Sequence, residues 1–279
     1  MKAEEVCYSC LKKMTSQAAE MASSDKALQA ESLRKGLQVL DRHFSTQELT
    51  LTIAKKIHQA VKDASGNPDP YAELKRNEIA MARQLLAACM PDDPTCFFDL
   101  LKLSARGNTL DFFKPMNTII AQMEGELVFA IDHSVQFEAR LADADRILFL
   151  ADNAGEVFFD LPILKWLREK AEVIYVVKPQ PVQNDLTLAD INAMGLEEEL
   201  GDVITTGMTA PGVVYPKASE AFRAAYKRAD LIFAKGMGFY EGLSELPPEN
   251  KIFYCLMAKC EPVARSLGVP LGSYVALFR

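Results

Sequence analysis

Asp152, Asn153 and Asp185 combine residue type and spacing in a way that supports chemistry. The apolar run Ile147-Leu148-Phe149-Leu150-Ala151 stops at Asp152-Asn153. A second run, Val173 to Val177, is followed by Lys178-Pro179-Gln180-Pro181-Val182-Gln183, a loop that delivers a second pair, Asn184-Asp185. Gly207-Met208-Thr209-Ala210-Pro211-Gly212 follows a third run and Lys235-Gly236-Met237-Gly238-Phe239-Tyr240-Glu241 a fourth. Carboxylate and amide oxygens are hard ligands suited to magnesium, manganese or a related divalent ion, whereas a lysine and glycine-rich turns suit phosphate. Two carboxylates repel a phosphate dianion. At an effective dielectric near 20, each unit-charge contact at about 4 Å is worth of order 4 kcal/mol, so a divalent cation decides the sign of such a site. The plainer reading makes Asp152-Asn153 an Asx-turn before a helix cap and Lys235 a solvated lysine at a strand end.

The elements that must position these residues follow from periodicity. Ile147–Ala151, Val173–Val177, Val203–Thr205, Leu231–Ala234, Ile252–Met257 and Tyr274–Phe278 are short apolar strands alternating with helical patterns, which predicts a mainly parallel sheet covered on both faces. In such sheets ligands bind outside the carboxyl ends of the strands, where all four loops above lie. Gly155 is expected to permit a tight turn, and Val157, Phe158, Leu161, Leu164, Trp166 and Leu167 have helical spacing after it. The first third reads as helices. Val6, Leu11, Met14, Ala18 and Met21 form one face, Leu28 to Leu40 continue after Ser23-Ser24-Asp25, and Ser45-Thr46-Gln47-Glu48 has the form of a capping box opening a further helix. Residues 100–140 read as mostly helical, with Gly107-Asn108 and Asp111 as a helix end and the next cap. The division expected is a helical domain with connecting helices over 1–140 and an α/β domain over 141–279.

Composition narrows the function. In 279 residues, 49% are hydrophobic and 25% charged, the balance of a packed globular chain; 31 basic against 38 acidic residues give a net charge of -7 without any basic stripe, which argues against nucleic acid as partner. The start has acids where a signal peptide needs an apolar core, and no window approaches a membrane span, so a cytoplasmic protein without membrane association is expected. Six cysteines then read as free thiols or metal ligands. Cys7-Tyr8-Ser9-Cys10 puts two thiols on one face of a first helical turn, half of a tetrahedral soft-metal site or a redox pair, with Cys260 as a possible third member. Cys255 lies within an apolar run and reads as structural. His43, His58 and His133 are isolated and take no role.

Taken together, Asp152-Asn153-Ala154-Gly155-Glu156 with Asp160, Asn184-Asp185 and Lys235-Gly236-x-Gly238-x-x-Glu241 resemble the metal-dependent damage-control phosphatases, once catalogued as a domain of unknown function. Cys7-x-x-Cys10, Asn67-Pro68-Asp69-Pro70-Tyr71, Gly107-Asn108-Thr109-Leu110-Asp111 and Lys259-Cys260 resemble the compact prokaryotic branch, so the likeness spans nearly the whole chain. It implies a Rossmann-like three-layer α/β/α domain with a mainly parallel sheet, preceded by an all-helical N-terminal domain. It implies a divalent ion (Mg, Mn, Co or Ni) on Asp152, Asn153 and Asp185, and Lys235 on the phosphate. Asn108 and Asp111 move from caps to the lining of the site, joined by Glu156, Asn184, Gly207, Gly236 and Glu241. The implied substrate is a small phosphorylated metabolite, a sugar phosphate or a damaged phosphometabolite. Met237 and Phe239 stand where the family often has polar residues, which bears on substrate preference. Two other classes stay open on the residues themselves: a Rossmann-like methyltransferase, whose strand-end acid would hold a ribose, and a non-catalytic sensor of metal or phospholigand using the cysteines.

Overall fold

The computed structural model describes residues 1–108 and 125–279; the assignment of Asp111 lies outside the described residues. Seven strands, β1 (Phe129–Asp132), β2 (Arg146–Leu150), β3 (Glu172–Val177), β4 (Val203–Thr205), β5 (Leu231–Lys235), β6 (Ile252–Met257) and β7 (Tyr274–Phe278), form one sheet in the order β1-β7-β6-β5-β2-β3-β4. The five from β4 to β6 are parallel, while β7 runs antiparallel to β6 and carries β1 parallel to itself at the edge.

The apolar runs are continuous because both sheet faces are buried, and successive residues serve opposite faces. In β2, Ile147, Phe149 and Ala151 belong to one apolar cluster and Leu148 and Leu150 to the other. The first cluster is closed by α5 (Phe97–Gly107), α6 (Ser134–Leu141) and α7 (Val157–Arg168), with α8 (Leu188–Met194) and α9 (Glu197–Leu200) toward the β4 edge. The second is closed by α10 (Glu220–Arg228), α11 (Gly236–Leu243) and α12 (Glu261–Leu267). On the first face Phe149 and Phe233 stack at 4.7 Å, with Phe137, Phe253 and Tyr175 within 5.8 Å of one or the other. This is the three-layer α/β/α arrangement that alternation of strands and helices predicts.

Four helices precede it: α1 (Glu5–Ala22), α2 (Lys26–His43), α3 (Thr50–Ser65) and α4 (Ala72–Cys89). The first three pack together around Leu11, Leu40, Ile53 and Ile57. Asp25 caps α2 by accepting from Ala27 N at 2.7 Å. The helix α4 leaves that bundle and lies on the 3-10 turn Ala154–Glu156, where a Cβ on Gly155 would stand 3.2 Å from the Glu78 backbone oxygen. Gly155 therefore serves both the tight 3-10 turn and the close approach of α4.

Two readings of the chain are corrected. Residues 129–132, read within a helical stretch, form β1: four residues are too short to show a period, and the strand is recognisable only through its pairing with β7. The sheet therefore begins before residue 141. Ser45-Thr46-Gln47-Glu48 is a turn, with Gln47 N donating to Ser45 Oγ at 3.1 Å; α3 begins at Thr50 after Leu49, without a side-chain cap.

Phe233→Ala should lower unfolding free energy by about 3–5 kcal/mol, the cost of a cavity among packed rings, measured as a shift of the chemical-denaturation midpoint.

Candidate active site

The chain leaves β2 for β3 on one side, while β5 pairs on the other, so the carboxyl ends of β2 and β5 flank the topological switch point of the sheet. Asp152 and Asn153 stand there, half-buried. The loop after β3 is stitched to them through the backbone: Leu186 N donates to Asp152 O at 2.9 Å, Ala154 N donates to Asn184 O at 2.8 Å, and Asn153 and Asp185 form an isolated antiparallel bridge. Two sequence-distant Asn/Asp pairs thus become one unit. From β5, Gly236 closes the third side. Its φ is +74°, and a Cβ there would lie 1.9 Å from Asp152 Oδ2, so only glycine lets the chain turn against that carboxylate.

Each of these side chains is oriented by a neighbour. Asn108 Nδ2 donates to Asp152 Oδ2 at 3.1 Å and to Glu156 Oε1 at 2.8 Å, while its own Oδ1 accepts from Met257 N at 3.4 Å. Asn153 Nδ2 donates to Glu156 Oε1 at 2.6 Å. Asn184 Nδ2 donates to both oxygens of Glu78 on α4, at 2.9 and 3.0 Å. Asp185 Oδ2 lies 3.4 Å from Lys178 Nζ, and that fully buried ammonium sits 3.9 Å from the Phe239 ring centre. A cleft of about 270 Å³ opens over Asp152, Asn153, Asn184 and Asp185, walled by Glu78, Asn108 and Gln183 on one side and Pro211, Met237, Gly238 and Lys259 on the other.

Lys235 is not at the rim. Its ammonium is fully buried beneath it, donating to Ser104 O at 2.8 Å, Ser104 Oγ at 2.9 Å and Asp160 Oδ1 at 2.8 Å, with Glu156 Oε2 at 3.0 Å. An ammonium has three donors, and these partners occupy them. Burial by itself lowers a lysine pKa, yet the Asp160 and Glu156 carboxylates hold this one above its usual range, so it stays charged. The expectation of a lysine projected over the strand ends fails because β5 turns the side chain toward α5 and α7 before the chain reaches the rim. Among the described residues the cation lining the cleft is Lys259, an exposed side chain whose backbone N–H donates to Met237 Sδ at 3.2 Å. It follows the apolar run of β6 by two residues, a strand-end position that the argument used for Asp152 would have found. Glu78 has no such signal, since it lies in the middle of α4, ahead of the sheet.

The remaining expected residues divide. Asn108 and Asn184 line the cleft; Glu156 lies beneath it and holds Asn108 and Asn153 in place. Gly207 lies outside the cleft: with φ +70°, a Cβ there would meet Ser219 Cβ at 2.5 Å, so it is a packing turn. Glu241 also lies away from the cleft, where its backbone oxygen accepts from the Met1 amine. Cys7, Cys10 and Cys260 gather near Glu241, and burial holds each thiol above its ordinary pKa, with the Glu241 charge adding to the rise. Among the described residues no three His, Cys, Asp or Glu side chains are arranged to hold a metal ion.

The oxygen pair Asp152 and Asp185, with the Asn153 amide, nonetheless suits a divalent cation. Burial and then the Glu156 and Asp185 carboxylates push the Asp152 pKa up to about 8, and burial pushes Asp185 up to about 6 despite Lys178. Asp185 Oδ2 accepts no hydrogen bond. Crowded, under-satisfied carboxylates of this kind gain most from a cation between them.

A mainly parallel sheet whose switch point carries stitched Asn/Asp pairs defines a Rossmann-like α/β protein. Residues 3–275 match the damage-control phosphatase ARMT1-like domain, and the chain belongs to that family. It is 32% identical over 292 residues to a damage-control phosphatase of Archaeoglobus fulgidus, covering 99% of each chain. It is likewise 32% identical over 284 residues to one of Pyrococcus horikoshii, covering 99% of this chain and 98% of the other. The crystal structure of a DUF89 family protein from Pyrococcus horikoshii superposes with a TM-score of 0.90 at 31% identity, covering 100% of this chain and 99% of that one. No helix among the described residues is long and apolar enough to cross a membrane.

Lys235→Met should cost about 3–5 kcal/mol of stability, because it strands two buried carboxylates, and should show as a large loss in melting temperature. The raised Asp152 pKa sets a pH dependence. The unfolded chain ionises this group near pH 4 and the folded chain near pH 8, so metal-free stability falls as pH rises across that window, and Asp185 adds to the fall up to about pH 6. Mn²⁺ replaces the proton, so its stabilisation should be larger at pH 8 than at pH 6 in thermal melts, and Asp152→Asn should flatten the difference.

Proposed function

We propose that this protein is a divalent-ion-dependent phosphatase acting on small phosphate monoesters, sugar phosphates or damaged phosphometabolites. The observation that carries the reading is the stitching of Asp152-Asn153 to Asn184-Asp185 at the switch point, under a cleft that Lys259 borders. Membership of a family whose curated members are named damage-control phosphatases supports it.

Asp152, Asn153 and Asp185 would hold the ion, one of Mg, Mn, Co or Ni by the hardness of these oxygens. When bound, it polarises the phosphoryl oxygens and lowers the pKa of a water. The chain does the rest. Asn108 orients Asp152 and Lys178 orients Asp185, so that each presents a fixed oxygen. Lys259 is the mobile cation that meets the phosphoryl group, while Lys235 acts from below by neutralising Glu156 and Asp160. The cleft, at about 270 Å³, fits a phosphate with a short organic group. Met237 and Pro211 supply its apolar wall, which leaves the hydroxyls of a substrate to Asn108, Asn184 and Gln183. For the cysteines we propose a structural role, with α1 tied to the loop that carries Lys259-Cys260.

Phosphate release from simple esters, with and without Mn²⁺, tests the reading. Activity should require the ion, Asp152→Asn should abolish it, and Lys259→Met should lower turnover by roughly 10² to 10³ with ion affinity retained. Ion-independent hydrolysis, or none from any short phosphomonoester, would overturn the proposal. Elemental analysis of protein purified without added metal tests the thiols: equal zinc in the parent and in Cys7→Ser/Cys10→Ser is expected of structural thiols, and loss of zinc in the variant would make them ligands.

A further inference from the structure

The loop that delivers Asp185 is held in an unfavoured conformation by the helical domain. Gln183 has φ +47°, a left-handed backbone seldom adopted by residues other than glycine. Such a conformation persists only where surrounding contacts over-determine it. Those contacts come from two directions. Below, the backbone bonds from Leu186 to Asp152 and from Ala154 to Asn184 fix the main chain. Above, α3 and α4 reach over: Lys62 donates to Pro181 O, and Glu78 receives the Asn184 amide on both carboxylate oxygens. Glu78 is 2% exposed. Its backbone packs on Gly155, so α4 also touches the turn that follows Asp152 and Asn153.

We infer that Glu78 is a positioning residue: through Asn184 it holds the 181–186 loop in its strained form and so sets Asp185 opposite Asp152. The helical domain is thereby part of the catalytic apparatus, since a loop released from Glu78 relaxes at Gln183 and carries Asp185 out of register with Asn153. The inference rests on the reading of Asp152, Asn153 and Asp185 as an ion site for its consequence, but the loop's restraint can be measured without the ion.

Hydrogen exchange of peptides spanning 181–187 in the metal-free protein is the direct measure. Glu78→Ala should accelerate exchange at least tenfold, whereas Glu78→Gln, which keeps an oxygen for Asn184, should stay within about threefold of the parent. Arg83→Ala is the control, because Arg83 joins α4 to the Met194 carbonyl elsewhere on the same interface. It should leave the loop unchanged. Calorimetric titration with Mn²⁺ should show a 10- to 100-fold weaker affinity for Glu78→Ala alone, the scale of losing a partner that orients a ligand. If Glu78→Ala does not fold, Asn184→Ala removes the same contact from the other side and should loosen the loop equally. Unchanged exchange in Glu78→Ala or Asn184→Ala, or equal loosening in Arg83→Ala, would overturn the inference. Loosening in Glu78→Ala, together with a parent protein that binds no Mn²⁺, would uphold the positioning role and sink the ion site.

Discussion

The site depends on one buried charge arrangement. Asp152, Glu156, Asp160 and Asp185 all lie at or just under the strand ends of one sheet, where low dielectric magnifies their repulsion. The Lys235 ammonium, with no exposure to solvent, lies between Glu156 and Asp160 and also satisfies Ser104 on α5. It fixes Glu156, and Glu156 in turn receives the amides of Asn108 and Asn153. Remove the lysine and the chain of restraints leading to the rim has no anchor. At the top, Asp152 accepts from the Asn108 amide at 3.1 Å and Asp185 pairs with Lys178 at 3.4 Å, longer than the 2.8 and 3.0 Å contacts around Lys235.

This separates two jobs that one lysine cannot do together. A lysine whose donors are all engaged in a dry ion network cannot also follow a phosphoryl group through its reaction. In this fold Lys235, at the end of β5, has the structural task, while Lys259, after β6, is exposed and borders the cleft. Lys235 is the last residue of β5 and pairs in register with Cys255, whereas Lys259 lies four residues further along, beyond the end of β6.

Glycines decide how close the parts come. Gly236 lets the β5 turn pass within contact of the Asp152 carboxylate, and Gly155 lets α4 lie on the turn after it. Side chains at either place would push apart the layers whose contact forms the cleft. The helix α4 is therefore close enough for Glu78 to line a cleft whose other walls come mainly from the strand ends of the sheet.

Much of this was legible in the chain. Uninterrupted apolar runs identified six of the seven strands because both sheet faces are buried, and acids, amides and glycines just after those runs marked the rim, since chain reversal and ligand binding both need polar groups there. Of the family motifs, Asn108, Asp152-Asn153, Asn184-Asp185 and Lys259 meet at the cleft, whereas Glu241 and the Cys7/Cys10 pair lie away from it. What the sequence could not give is the direction of a side chain at a strand end and the company it keeps. Lys235 and Lys259 occupy equivalent positions in the linear pattern, and only the packing of α5 and α7 over β5 distinguishes the buried one. Glu78 looked like any helix residue until α4 was laid across Gly155. β1 was too short to declare a period, and exists through its hydrogen bonds to β7. Pattern and composition report which face of an element is buried; which particular groups meet across elements is decided by packing, where distances of a few ångströms in low dielectric settle whether a charge is a ligand for substrate or a support beneath it.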